Sequence, residues 1–241
     1  MTSLTALASL TALIGITPSE NEALGLSLSV AARSVLLSLP LAIFLAWILT
    51  RRFYGRFVLD AVVHLPLVLP PVMVGYILLI LFGTHGILGA WLSRVFDVQL
   101  IFTRNGAALA TAVMSFPLMV RAIRISLEGI DQGLEDAART LGAGAWDRFV
   151  SITLPLMLPG ILAGVVTAFA AGLGEFGAVI TFVSNIPGET RTLPLALYSA
   201  LQSPDGDTAA ARIALISFLL GLLGLVVAEW FTRRMRSTRG R

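Results

Sequence analysis

The chain has 241 residues, of which 56% are hydrophobic and 13% charged, and it contains no cysteine. Soluble domains carry about 25% charged residues, so there is roughly half the usual supply for a water-facing surface, in keeping with a mean hydropathy of +0.88. An ordinary cytosolic enzyme and a disordered nucleic-acid-binding tail are thereby excluded, and the lack of cysteine excludes disulfides, thiolate metal sites and a cysteine nucleophile. The formal charge is +3 and the pI about 10.2. All 17 basic residues are nevertheless arginine, clustered between apolar runs. A bilayer imposes that pattern, and it speaks against a nucleic-acid partner.

Leu4 to Ile16 is apolar, but its 13 residues fall short of the about 20 that cross the hydrocarbon core, and no basic n-region precedes it. It reads as an amphipathic or partly inserted N-terminal segment, with a short sixth helix as the alternative. Five longer segments follow, at about 26–50, 57–82, 104–126, 155–183 and 208–232, built on uncharged runs of 16 to 33 residues. The expected fold is all-α, a polytopic membrane helix bundle of five core transmembrane helices. Residues 1–23 form the N-terminal segment, 24–234 the membrane domain and 235–241 a basic tail. Pro40, Pro66, Pro70, Pro71 and Pro117 fall inside the spans as kinks, which neighbouring helices make tolerable.

Arginine positions set the orientation. Arg51, Arg52 and Arg56 follow the first span; Arg121, Arg124, Arg139 and Arg148 lie at or after the end of the third; Arg233, Arg234, Arg236, Arg239 and Arg241 follow the last. These twelve share one side, whereas Arg94, Arg104, Arg191 and Arg212 lie on the other and Arg33 sits inside the first span, able to snorkel outward. The positive-inside rule makes the richer side cytoplasmic. The five-span core then starts outside and the C-terminus is cytoplasmic.

The cytoplasmic segment from Leu127 to Pro155 holds the densest acids: Glu128, Asp131, Glu135, Asp136 and Asp147. Asp131 suits an N-cap for a helix over about 132–141, with Glu135 and Asp136 in its N-terminal half. Gly142 and Gly144 stop that helix, because glycine readily takes the left-handed conformation that ends helices. Trp146 to Ile152 starts a second helix, and Leu154-Pro155 leads into the fourth span. Such a helix–Gly–helix elbow, with small Ala137 and Ala138 on one side, suits docking into a groove on a partner. A solvated, charged interfacial loop is the plainer alternative.

The spacing favours docking. Asp136-Ala137-Ala138, three residues, Gly142, nine residues and Ile152-x-Leu154-Pro155 resembles the EAA loop (EAA-x3-G-x9-I-x-LP) of permease subunits of bacterial ABC importers. Asp136 replaces the first glutamate, with Glu135 beside it. The resemblance implies a type I importer fold and makes Glu135, Asp136, Ala137, Ala138, Gly142, Ile152, Leu154 and Pro155 the ATPase-coupling loop. In that family the loop sits in a cleft of the ATP-binding subunit, and closure of the ATPases switches the permease between inward- and outward-facing states. Three further stretches, His64–Tyr76, Met114–Arg124 and Gly174–Pro194, are similar to the molybdate permease subunits of the oxyanion importers. Sulfate and thiosulfate permeases share the Gly-Glu-Phe-Gly and Gly-Glu-Thr-x-Thr-Leu-Pro elements, while VSNIPGETRTLP (Val183–Pro194) favours molybdate. Tungstate, of nearly the same size and charge, is not separated from molybdate by the sequence. The resemblance implies two ATP-binding cassette ATPase subunits that hold the ATP and Mg²⁺, a periplasmic or extracellular molybdate-binding protein, and residence in the bacterial cytoplasmic (inner) membrane.

No HExxH, GxSxG or GxxxxGK[ST] motif occurs, and Gly142-x-Gly144 lacks the third glycine and preceding strand of a dinucleotide fingerprint. No catalytic group, metal or cofactor is therefore expected on this chain. Asp60 and His64 share one side of the second span near its cytoplasmic end, either as a local pair stabilising a helix end or as a component of a gate. Arg124 can pair with Glu128 one turn on. Glu175, flanked by Gly172, Gly174 and Gly177, would repel a dianion; pairing with an arginine or capping a helix break is one role open to it, gating the other. An oxyanion must be held weakly enough to leave, which suits hydroxyls, backbone amides and helix N-termini. Ser184, Asn185, Thr190 and Thr192 offer such groups outside the fourth span, and Thr111, Ser115 and Thr167 within the bilayer. Pro66, Pro70 and Pro71 bend the second span where a gate would sit, although helix packing explains them equally well. The pathway or gate candidates are thus Pro66, Pro70, Pro71, Ser115, Glu175, Ser184 and Asn185. Leu193 to Gln202 reads as a short outer helix suited to contact a substrate-delivery protein. One bundle has too little interior for a pathway and two ATPase sites, and no internal repeat supplies a second half, so a homodimer is expected. An ATP-independent anion channel, the alternative of another class, would need no coupling loop.

Overall fold

The structure is a computed structural model that describes residues 15–239, leaving aside the side chains of Gln132, Glu135 and residues 228, 229 and 231–239. The apolar segment Leu4–Ile16 thus lies almost wholly outside the described residues. Every regular element among them is helical: α1 (Pro18–Thr50), α2 (Arg56–Val68), α3 (Pro71–Phe82), α4 (Ile87–Phe96), α5 (Arg104–Glu128), α6 (Gln132–Thr140), α7 (Ala145–Arg148), α8 (Leu154–Leu173), α9 (Gly177–Val183), α10 (Leu193–Leu201) and α11 (Asp207–Arg239). A π-helical turn, Phe149–Thr153, joins α7 to α8.

Among the described residues four helical segments are long and apolar enough to cross a membrane: Pro18–Thr50, Arg104–Glu128, Ala145–Leu173 and Asp207–Val227. The second expected span, 57–82, is two helices, α2 and α3, bent by 113°. The reason is local. A residue before proline is pushed out of the helical region, and the Pro70-Pro71 pair imposes that twice in succession. Leu69 (ψ 142°) and Pro70 (ψ 134°) are both extended, so the chain turns rather than kinks. The fourth expected span is likewise interrupted, at Gly174–Phe176 between α8 and α9, and α4 is a short apolar helix that the hydropathy pattern alone does not separate.

α1 begins earlier than expected because Thr17 and Glu20 cap it reciprocally. The Thr17 amide donates to Glu20 Oε2 at 2.9 Å, the Glu20 amide donates to Thr17 Oγ1 at 3.4 Å, and Pro18 occupies the first turn. Its 33 residues extend to about 50 Å, more than the hydrocarbon core requires. A buried ion pair, Arg212 to Glu20 at 2.9 Å, and a Leu193 amide hydrogen bond to Ser27 Oγ at 2.7 Å tie α11 and α10 to this end of α1.

α1, α5 and α8 form the centre of the bundle, where Ala42, Ala46 and Leu49 meet Met119, Val120 and Ile123, and Met157, Ile161 and Ala168. Small residues permit this approach. A Cβ at Gly160 would lie 2.2 Å from Ser126 Cβ, and one at Gly164 would lie 3.1 Å from the Met119 carbonyl oxygen. A second cluster joins α3, α5 and α9 through Val74, Leu78, Ala107, Val179 and Phe182.

Candidate functional site: the elbow and the broken helices

α5 and α8, packed closely through Gly160 and Gly164, hold the segment between them at one end of the bundle. Asp131 caps α6 as expected, its Oδ1 accepting from the Gly133 amide at 2.8 Å. Gly142 follows α6 with φ +86°, and nothing lies within 4 Å of where a Cβ would stand. Glycine is required there by backbone conformation alone. Gly144 is extended and opens α7. From Ala145 to Leu173 the helix is continuous over 29 residues through the π turn, so Leu154-Pro155 is not a lead-in to a span but lies within one rod. Pro155 sits in the first turn of α8, where its missing amide hydrogen is best tolerated.

Of the eight coupling candidates, Asp136, Ala137, Gly142 and Pro155 are exposed and Ala138, Ile152 and Leu154 half-buried, while Glu135 lies on α6. Leu134, Leu141 and Trp146 are exposed by 48%, 88% and 76%, so the elbow presents apolar side chains that this chain alone does not cover.

At the root of the elbow the two pairs expected from the sequence are both present and are joined. Arg124 Nε donates to Glu128 Oε1 at 2.8 Å, and His64 Nδ1 lies 3.3 Å from Asp60 Oδ1. Arg124 also reaches Asp60 Oδ1 at 2.9 Å, and Arg56 lies 3.5 Å from Glu128. α2 is thereby tied to the end of α5 across 64 residues of sequence, and no local pattern signals a link of that range. At the opposite end Arg104 pairs with Glu189 at 3.5 Å and donates to the Gly188 carbonyl, a second tie that the sequence did not reveal. Arg33 donates to Asn105 Oδ1 at 3.0 Å.

Five of the seven pathway candidates gather in one region. Pro70 and Pro71 start α3, which packs on α9: a Cβ at Gly177 would lie 2.7 Å from Pro71 Cβ, and one at Gly75 would lie 2.6 Å from the Ala178 carbonyl oxygen. Glu175 Oε1 accepts from the Ala178 amide at 2.9 Å, so the carboxylate caps α9 at the helix break. Ser184 ends α9 at φ 64°, ψ −167°, a region that residues with a Cβ seldom occupy. Its carbonyl accepts from Thr190 Oγ1 at 2.9 Å. Asn185 receives Arg191 Nε at 3.0 Å and donates to Ser199 Oγ at 2.7 Å. Pro70, Pro71, Glu175, Ser184 and Asn185 therefore belong to one unit of broken helices. Pro66 lies within α2, before the bend. Ser115 stands apart: it is 2% exposed and its Oγ donates to the Thr111 carbonyl of its own helix, so within this chain it faces no opening.

Residues 38–237 match the family described as binding-protein-dependent transport system inner membrane component. The chain belongs to that family. It is a permease component and not itself an ATPase. Among its relatives, the molybdenum transport system permease protein ModB of Escherichia coli K12 is 56% identical over 94% of this chain and 99% of its own length. The sulfate transport system permease protein CysT of the same organism is 42% identical over 71% of this chain and 62% of its own length. The solved structure of a bacterial ABC transporter involved in import of the acidic polysaccharide alginate superposes on this permease with a TM-score of 0.72, at 20% identity, covering 94% of this chain and 83% of that one. The helical architecture is thus that of ABC importer permeases. Membership of a binding-protein-dependent system implies ATPase and binding-protein partners and places the permease in the inner membrane as a multi-pass protein.

Proposed function

We propose that this chain is the permease subunit of an ABC importer that moves molybdate into the cell by alternating access. The observation that carries the coupling half is the elbow: a helix, a glycine at φ +86° and a second helix continuous with a membrane span. A partner that moves α6 and α7 acts directly on that span. The substrate half rests on likeness to the molybdenum permease over nearly the full length of both chains, and tungstate is accepted on the same physical grounds. Residues 24–234 form the membrane domain, flanked by 1–23 and the basic stretch 235–241.

Glu135, Asp136, Ala137, Ala138, Gly142, Ile152, Leu154 and Pro155 form the surface and root that dock on the ATPase. The ATPase holds the ATP and Mg²⁺. Two copies of the chain pair around the pathway, each engaging one ATPase. The twelve arginines on one side make the elbow and the C-terminus cytoplasmic, and the opposite end, with α10, receives a binding protein that delivers molybdate. The bend at Pro70-Pro71 and the break at Glu175, packed together through Gly177, are the regions of the wall suited to open and close, with Ser184 and Asn185 at their outer end.

ATP-dependent uptake by the reconstituted transporter tests this reading. Molybdate uptake should be competed by tungstate and only weakly by sulfate. The second reading, a sulfate permease, is favoured by the 42% identity to CysT; sulfate uptake unaffected by excess molybdate would establish it and overturn the first.

A further inference from the structure

A cavity of about 520 Å³ opens between α1 and the beginning of the continuous helix. Its α1 wall is one stripe, Pro40, Ile43, Phe44, Trp47 and Arg51, whose spacings of three, four, seven and eleven residues from Pro40 stack them on one side of a helix over about 16 Å. The stripe is apolar along its length and ends in a cation where α1 ends. Arg51 lies over the Trp47 ring at 4.9 Å from its centroid. On the facing wall Trp146 stacks with Phe149 at 5.8 Å, and Arg148 donates one hydrogen bond, to the Ala143 carbonyl at 2.7 Å.

Arg56, Arg104, Arg124, Arg139 and Arg212 each pair with a carboxylate. Among the described residues no carboxylate pairs with Arg51 or Arg148. Arg51 also borders a second cleft, lined by Glu128, Asp136 and Arg139, without an ion pair to either acid. Two cations that form no carboxylate ion pair therefore line an apolar slot where α1 ends.

We propose that this cavity binds an anionic phospholipid, one acyl chain lying along Pro40, Phe44 and Trp47 and the head-group phosphate held by Arg51 and Arg148. Guanidinium groups bind phosphate with charge-assisted hydrogen bonds, basic pockets between membrane helices receive anionic head groups, and tryptophan settles at head-group depth. A second copy of the chain is the alternative occupant, and the test separates the two. The site does not depend on which ion the transporter carries.

The test uses the assembled transporter in nanodiscs of phosphatidylcholine with or without phosphatidylglycerol, followed by native mass spectrometry of the lipid retained. Wild type should keep phosphatidylglycerol in preference to phosphatidylcholine. The Arg51→Ala/Arg148→Ala variant should bind it about thirtyfold more weakly, at roughly fivefold per arginine. The Arg51→Lys/Arg148→Lys variant should retain most of it, and serves if the alanine variant does not assemble. Equal retention of both lipids by wild type, or unchanged preference in the alanine variant, overturns the proposal. Because the chain has no cysteine, Phe44→Cys gives a second reading: labelling by a thiol-reactive phosphatidylglycerol analogue supports the lipid, whereas chain–chain disulfides would put a second copy there and overturn it.

Discussion

At Gly142 the demand is purely conformational, since the position is open and φ is +86°. An L-residue there costs about 1–2 kcal/mol, least for asparagine, which tolerates the left-handed region, and most for a β-branched side chain. Gly142→Asn should keep coupled uptake near wild type while Gly142→Val lowers it severalfold at unchanged membrane abundance; equal uptake by the two would remove the turn from the mechanism. Glu175 poses a different question, because its carboxylate accepts from the Ala178 amide at 2.9 Å. Glu175→Gln preserves an acceptor and should transport nearly normally, whereas Glu175→Ala loses a cap worth about 1 kcal/mol on a helix of only seven residues and should transport poorly. Should glutamine prove as inactive as alanine in the uptake assay, charge and not capping is what the position supplies.

Between elements, the contact that holds the elbow is the approach of α5 to α8. A Cβ at Gly160 would sit 2.2 Å from Ser126 Cβ and 2.9 Å from the Ala122 carbonyl oxygen, so one methyl group must push the helices away from each other, an overpacking cost of about 1–3 kcal/mol or more. Gly160→Ala should sharply reduce the monodisperse protein recovered by size-exclusion chromatography, whereas Gly221→Ala, with open space around it, should not. This level also separates what could be read from the residues and what could not. Asp131, Gly142, the helix over Leu193–Leu201 and the Arg124–Glu128 pair were legible because capping, left-handed turns and one-turn spacing are local. The 113° turn was underestimated, although its cause, two consecutive residues preceding proline, is written at Leu69-Pro70-Pro71. The ties Arg124–Asp60 and Arg104–Glu189 span 64 and 85 residues, and only the packing of the helices selects such partners. The Ser115 hydroxyl bonds back to its own helix, a local contact that hydroxyls within a span make whether or not they line a pathway.

For the molecule as a whole, the charge asymmetry and the two ends of the bundle make the orientation testable with a chain that has no cysteine. Tyr54, fully exposed between α1 and α2, and Asp205, exposed between α10 and α11, lie on opposite sides. In right-side-out vesicles a membrane-impermeant maleimide should modify Asp205→Cys and spare Tyr54→Cys; the reverse pattern would invert the assignment. The continuous helix from Ala145 to Leu173 then acquires a mechanical meaning. At 29 residues it is a lever about 43 Å long with no loop along it to absorb motion. Under the proposed coupling, a tilt applied at the elbow would be carried along this helix toward Leu173, two residues from Glu175, past Pro159, whose missing amide hydrogen is a point where it can bend. The one place where the lever is wound differently is the π turn, one extra residue wide. Rewinding it to an α-helix would rotate one arm against the other by about 100°, the angle of a single helical residue, converting a push at one end into a twist at the other.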